Sequence, residues 1–198
     1  KRRGLQTVEI RFVVFLLFAI SLVNYERNVR LMKKRFYLLT VLLVTWMIVI
    51  FSFSAQPAKK STDLSEGVGR KVANLVIPGF QSWSTEKQEE YIGSIDFFVR
   101  KTAHFTEYMI LGSLWLLCIY NKPCRNCSFQ QKIGISVGAS AVYAMSDEFH
   151  QLFVDGRAGR WMDVGIDTGG AITGVVITLV LIVIYNKISG YKKNKKIW

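Results

Sequence analysis

The apolar residues of this chain fall into blocks of near-bilayer length, and no other feature restricts its fold as strongly. A transmembrane helix needs about 20 predominantly apolar residues, and Phe36–Ala55, Ala103–Tyr120, Ile133–Phe153 and Val164–Asn186 come close to that requirement. The second and third blocks are the less apolar pair. A soluble fold would have to bury both Leu38–Phe53 and Ala171–Tyr185 in the core of a chain of 198 residues, more than a domain of this size can enclose. The expected architecture is an all-α integral membrane protein. It has four transmembrane helices, both termini in the cytoplasm, and one or two short amphipathic helices on the outer face.

A net charge of +12 would suggest nucleic acid in a soluble protein, but here the basic residues flank the apolar blocks. Lys33-Lys34-Arg35 precede the first block, Lys122, Arg125 and Lys132 follow the second, and Lys192, Lys193, Lys195 and Lys196 form the tail. Such clusters stay in the cytoplasm, which leaves Gln56–Lys101 and Val154–Asp163 outside and excludes nucleic acid as the partner. The chain divides into an N-terminal extension (1–31), a membrane domain (32–186) and a basic cytoplasmic tail (187–198). In the extension, Phe12–Val23 is too short to cross and has arginines on both sides, so it reads as an interfacial stretch or upstream segment without assigned function. Cys118 falls within a block, and Cys124-x-x-Cys127 falls in a cytoplasmic loop. A closed zinc site needs four ligands, and with no second pair or nearby histidine the thiols read as incidental.

Within the outward segment, Leu64, Val68, Val72, Leu75 and Val76 recur at helical spacing behind a cap at Ser61 or Thr62, up to Ile77-Pro78-Gly79. Ser84 caps a second helix whose apolar side holds Tyr91, Ile92, Ile95, Phe98 and Val99 and which runs into the second span. Both are expected on the outer membrane surface, as a lid over what lies beneath. In the last block, Gly165/Gly169 and Gly170/Gly174 form G-x-x-x-G pairs, a packing device for close helix approach and, through the first pair, a route to a homodimer.

Both histidines lie in two polar stretches at the edges of apolar blocks, Arg100–Tyr108 and Ser146–Gln151. On a helix entering from outside, Lys101, His104, Glu107 and Tyr108 share one face. The third span ends with Asp147, Glu148, His150 and Gln151, the outer loop adds Arg157 and Arg160, and the fourth span starts with Asp163 and Asp167. Ionisable side chains are costly in a bilayer, roughly 2.5–3.5 kcal/mol each at a helix centre, so their convergence at one depth points to function or to internal pairing. Histidine beside carboxylate suits acid–base chemistry, which makes His104, Glu107, Asp147, Glu148 and His150 the catalytic candidates. Arg100, Lys101, Tyr108, Gln151, Arg157, Arg160, Asp163 and Asp167 are the candidates for binding substrate or phosphate. His104-x-x-Glu107 and Asp147-x-x-His150 have metal-ligand spacing, but the neighbouring cations oppose a metal and none is assigned; any cofactor is unknown. Arg100, Lys101, Arg157 and Arg160 can oppose the five acids in an ion-paired lock.

The motifs R-K-x-x-H-F-x-E-Y at Arg100–Tyr108, S-D-E-x-H-Q at Ser146–Gln151, G-R at Gly156–Arg157 and D-x-x-x-D-x-x-G at Asp163–Gly170 resemble those of the VanZ-like family. So does the apolar start ending Ser52-Phe53-Ser54-Ala55-Gln56-Pro57, and the resemblance spans about Met32–Tyr185. It implies a multi-pass protein of the cell membrane and, for the accessory protein of glycopeptide-resistance clusters that names the family, lowered susceptibility to teicoplanin. It supplies no reaction. Three readings stay open: an enzyme acting on a cell-envelope lipid or lipid-linked intermediate, a non-catalytic protein binding a phosphate-bearing lipid or the antibiotic, and a proton-coupled transporter. The region has no G-x-S-x-G or cysteine nucleophile, which argues against an acyl-enzyme.

Overall fold

The computed structural model describes residues 29–121 and 127–195. Five helices account for most of them: α1 (Val29–Ser54), α2 (Ala58–Val76), α3 (Thr85–Asn121), α4 (Phe129–Gln151) and α5 (Trp161–Lys195), with a 3-10 turn at Phe80–Ser82. The apolar run Phe12–Val23, the loop residues Lys122, Cys124 and Arg125, and Lys196 lie outside the described residues.

Three stretches, Lys34–Ser54, Thr85–Tyr120 and Trp161–Ile188, are long and apolar enough to cross a membrane, so the chain is a multi-pass membrane protein. Their exposed faces are apolar, with Val41, Ile48, Val176 and Val183 each more than half exposed, as suits contact with lipid. The second stretch has 36 residues, roughly 54 Å at the helical rise, and so outruns a ~30 Å hydrocarbon core. α4, expected as a crossing, is not among the three. Its glycines, serines and terminal acids dilute its apolar content, and its inner side is a stripe of small buried residues, Ser136, Ser140 and Ala144.

Residue pairs give the helix directions. Lys101 meets Asp163, Phe105 meets Gly170 and Met109 meets Gly174, so α3 and α5 run parallel. α1 and α4 run parallel to each other, with Tyr143 Oη donating to the Met47 carbonyl at 2.6 Å and Gln151 Nε2 to Ser54 Oγ at 3.0 Å. They run opposite to the first pair, since the start of α4 meets the end of α3 at Lys132 and Tyr120 while its end meets the start of α5 at Glu148 and Arg160. Trp46 Nε1 of α1 donates to the Glu107 carbonyl at 2.9 Å. α3 packs against every other helix and most extensively against α5. Leu39, Leu43 and Ile50 of α1, Leu111, Leu114 and Leu117 of α3, and Ile182 of α5 form the main core.

The α3–α5 contact is backbone on backbone. A Cβ at Gly174 would run into the Met109 carbonyl, one at Gly170 into the Phe105 carbonyl, and one at Gly112 into the Ala171 carbonyl. Only glycine permits that approach. Gly165 has nothing within 4 Å of its Cβ position, and Gly169 has only the Phe105 ring, at 3.9 Å. Of the two expected packing pairs, therefore, Gly170/Gly174 makes the intimate contact; five residues along a helix is a turn of about 140° further round.

α2 also differs from expectation. It begins at Ala58 after Pro57, with no side-chain cap, rather than behind Ser61 or Thr62. It packs on α3 through its small residues Ser65, Gly69 and Ala73, while Leu64, Val68, Val72, Leu75 and Val76 stay exposed. Ala73, Phe80 and Ile92 make a second small core, which Trp83 and Tyr91 cover. The turn between the helices needs Gly79 at φ 76°, and Ser84 caps α3 by accepting from the Lys87 amide at 3.4 Å.

Gly174→Val should destabilise the protein by upward of about 2 kcal/mol through overpacking, whereas Gly165→Ala should be neutral or slightly stabilising. Thermal unfolding in mild detergent compares the two, and equal effects would contradict the packing described.

Candidate functional site

The ends of α1 and α4 and the start of α5 meet the middle of α3, and the ionisable residues gather at that junction. Lys101 Nζ lies 2.5 Å from Asp163 Oδ2, fastening α3 to α5. One turn on, His104 Nδ1 stands 4.0 Å from Glu107 Oε2 and 4.0 Å from Asp167 Oδ1. Asp167 and Tyr108 are both 0% exposed. From α4, Asp147 and Gln151 are buried, and Gln151 Nε2 reaches Asp147 Oδ2 at 3.5 Å. Their neighbour Glu148 turns towards the start of α5, where its Oε2 accepts from the Arg160 amide at 2.8 Å. That bond lets the loop hug α4: a Cβ at Gly159 would lie 2.5 Å from the Glu148 carbonyl oxygen. His150 departs from this group and packs its ring on Phe51 of α1, with ring centres 4.5 Å apart.

The expected opposition of four cations to five acids is realised only in part. Among those residues Lys101–Asp163 is a pair, but Arg100 pairs with Asp96, which also accepts from Ser65 Oγ of α2. Sequence reasoning missed both partners. Asp96 was signalled by its i,i+4 spacing to Arg100, and Ser65 by the small-residue stripe of α2. Ser54 and Gln56 were missed as well; the Gln56 contact is its carbonyl, which accepts from Arg157 Nε at 3.2 Å, and a backbone contact leaves no trace in residue type.

Among the described residues, neither Arg157 nor Arg160 has a carboxylate within 4.0 Å. Burial, together with the charge of neighbouring Arg100, pulls the Arg157 pKa below the ordinary guanidinium value, against opposite pulls from Asp147, Glu148 and Asp163. An anion placed there would be attracted by both arginines. Deeper in, His104 Nδ1, Tyr108 Oη, Asp147 Oδ1, Glu148 Oε1, His150 Nδ1 and both oxygens of Asp167 are buried without hydrogen-bond partners in the protein.

Two cavities reach this cluster. One, of about 330 Å³, is polar and lined by Arg100, Lys101, His104, Gln151, Arg157, Arg160 and Asp163 with Phe97 and the loop at Gly156. The other, of about 290 Å³, has mainly apolar walls, among them Phe53, Leu64, Val68, Val99 and Ala103, and ends at Arg100, His104, Glu107 and Arg157. Arg100, His104 and Arg157 border both. Of the sequence candidates, Arg100, Lys101, His104, Gln151, Arg157, Arg160 and Asp163 line the polar cavity, and Glu107 lines the apolar one. Tyr108, Asp147, Glu148 and Asp167 are buried, and His150 is turned towards α1. Among the described residues no three His, Cys, Asp or Glu side chains are grouped so as to hold a metal ion.

A multi-pass helical membrane protein with an ionisable cluster buried at one end of its bundle is the class these features define. The family model described as VanZ/LLP1 matches residues 39–183, a stretch that includes every residue of the cluster, and the chain belongs to that family. No curated protein and no solved structure matches it significantly.

Lys101→Met should cost about 1–3 kcal/mol by leaving the partly buried Asp163 unpaired, and the double variant Lys101→Met/Asp163→Leu should recover most of that loss. A double-mutant cycle on unfolding free energy decides it; additive single effects would mean the pair is not coupled.

Proposed function

We propose that the protein takes an anionic cell-envelope lipid or lipid-linked intermediate into the polar cavity and acts on it by proton transfer. Two arginines that line one cavity without a carboxylate partner carry this reading. Guanidinium groups suit phosphate because they donate paired, charge-assisted hydrogen bonds. Arg157 and Arg160 hold the headgroup, while Lys101 and Arg100, each already neutralised by an aspartate, set the shape of the site. His104 faces the same cavity, with Glu107 and Asp167 near its Nδ1. The separation of 4.0 Å to each acid is longer than a hydrogen bond, as is common before a ligand tightens a site. In this reading His104 gives or takes the proton that accompanies a bond change at the lipid headgroup, and Glu107 and Asp167 orient the imidazole and balance its charge.

The arrangement across the membrane follows the basic residues: four crossings, both termini cytoplasmic and the cluster on the extracytoplasmic side. The parallel course of α3 and α5 supports the fourth crossing, because the chain must return from the end of α3 to the start of α5. α4, with 23 residues or roughly 35 Å, is the segment that returns. Lowered susceptibility to teicoplanin-type glycopeptides would then follow from a change in the envelope lipid rather than from contact with the drug.

Native mass spectrometry of protein released in mild detergent should show a bound phospholipid or lipid phosphate that is lost in Arg157→Ala. In cells, His104→Ala and Glu107→Gln should return the envelope lipid profile to that of cells without the protein. Retention of the wild-type profile by both variants would remove the catalytic step and leave binding alone.

A further inference from the structure

The apolar cavity has its own geometry, distinct from that of the polar one. It runs between α2 and α3, and its walls are mainly hydrocarbon side chains from α1, α2 and α3, with Ser61 and Ser65 of α2 also in the lining. Two of the wall residues, Leu64 and Val68, are 47% and 51% exposed, so they belong at once to the cavity and to the outer surface. On that surface they begin the apolar stripe that continues through Val72 and Val76. Stripe and cavity mouth therefore lie on the same flank of α2, and a stripe of this kind on an interfacial helix faces acyl chains. The inner end is different in kind: it closes on Arg157 and His104, which also border the polar cavity. An apolar groove whose inner end meets Arg157, at the border of the polar cavity that Arg157 and Arg160 line together, matches an amphiphile with an anionic head.

We propose that the cleft between α2 and α3 is a lateral portal, admitting the hydrocarbon chain of an anionic lipid directly from the bilayer while the head turns into the polar cavity. The inference rests on the headgroup reading above and adds the chain's path. Entry of this kind needs no passage through water, and it makes chain length a determinant of binding. The stack of small residues Ser65 and Gly69 against α3 keeps α2 close enough to form the wall. Val68 and Leu64 set the width of the portal.

The test is a chain-length series of n-alkyl phosphates, with inorganic phosphate as the headgroup alone, titrated onto the full chain held in an amphipathic polymer. For the wild type, affinity should rise by roughly fourfold per methylene buried and then level off once the cleft is full. Val68→Trp, at a half-exposed position that accommodates the ring, should level off at a shorter chain. Val41→Trp, on the lipid face of α1 and outside the cavity, should reproduce the wild-type curve. Thermal unfolding of each variant confirms that it is folded. Identical curves for Val68→Trp and Val41→Trp would overturn the portal while leaving the headgroup site standing, as would inorganic phosphate binding as tightly as the longest chain. Undiminished binding of the whole series by Arg157→Ala would instead overturn the headgroup reading on which the portal rests.

Discussion

The close backbone contact between α3 and α5 governs the geometry of everything else in this bundle. Gly112, Gly170 and Gly174 bring main chain against main chain, and in lipid, where apolar burial gives helices little drive to associate, such contact is a principal source of cohesion. It also sets register. With Phe105 seated on Gly170 and Met109 on Gly174, Asp163 arrives beside Lys101 and Asp167 beside His104. A slip of one turn would carry both acids past their neighbours. Helix cohesion and site geometry are thus one constraint.

α1 and α4 close the junction from the other side with directed hydrogen bonds rather than close backbone approach. Trp46 to the Glu107 carbonyl, Tyr143 to the Met47 carbonyl and Gln151 to Ser54 each join different helices at the depth of the cluster. These bonds hold the surroundings rigid while leaving the acids and His104 themselves under-satisfied. A stability-driven fold would pair those groups or replace them with apolar ones. The frame is thus tied together by hydrogen bonds between helices, whereas the ionisable groups at its centre make few bonds to one another.

Much of this was legible in the sequence, because bilayer thickness imposes a length on apolar blocks that few other constraints imitate. The spans at α1, α3 and α5 follow from it, and so does the gathering of Lys101, His104, Glu107, Asp163 and Asp167 at one end, since helical spacing and chain direction suffice to place them. Pairing was less legible. Arg100 had five motif acids to choose from and took Asp96, which lies on its own helix. The packing face of α2 was not legible at all: in water the apolar stripe would be the buried one, but beside lipid it can stay outside while Ser65, Gly69 and Ala73 make the protein contact. His150 and Glu148 show the limit of face arithmetic, because the last turn of α4 meets α1 on one side and the loop on another.

The composition of α4 bears on how such a protein is made. A helix with Ser136, Ser140, Asp147 and Glu148 turned inward gains little from hydrocarbon on its own, so its place is secured by its neighbours and not by partitioning. Its natural companions are α3, synthesised before it, and α5, synthesised after. The cluster is therefore complete only once α5 is in place, since Asp163 and Asp167 come from it and Glu148 of α4 bonds to the Arg160 amide just before it. Truncation within α5 would then leave not a smaller protein with a weakened site but an unfinished bundle whose fourth helix has nowhere to stay, a natural substrate for membrane quality control.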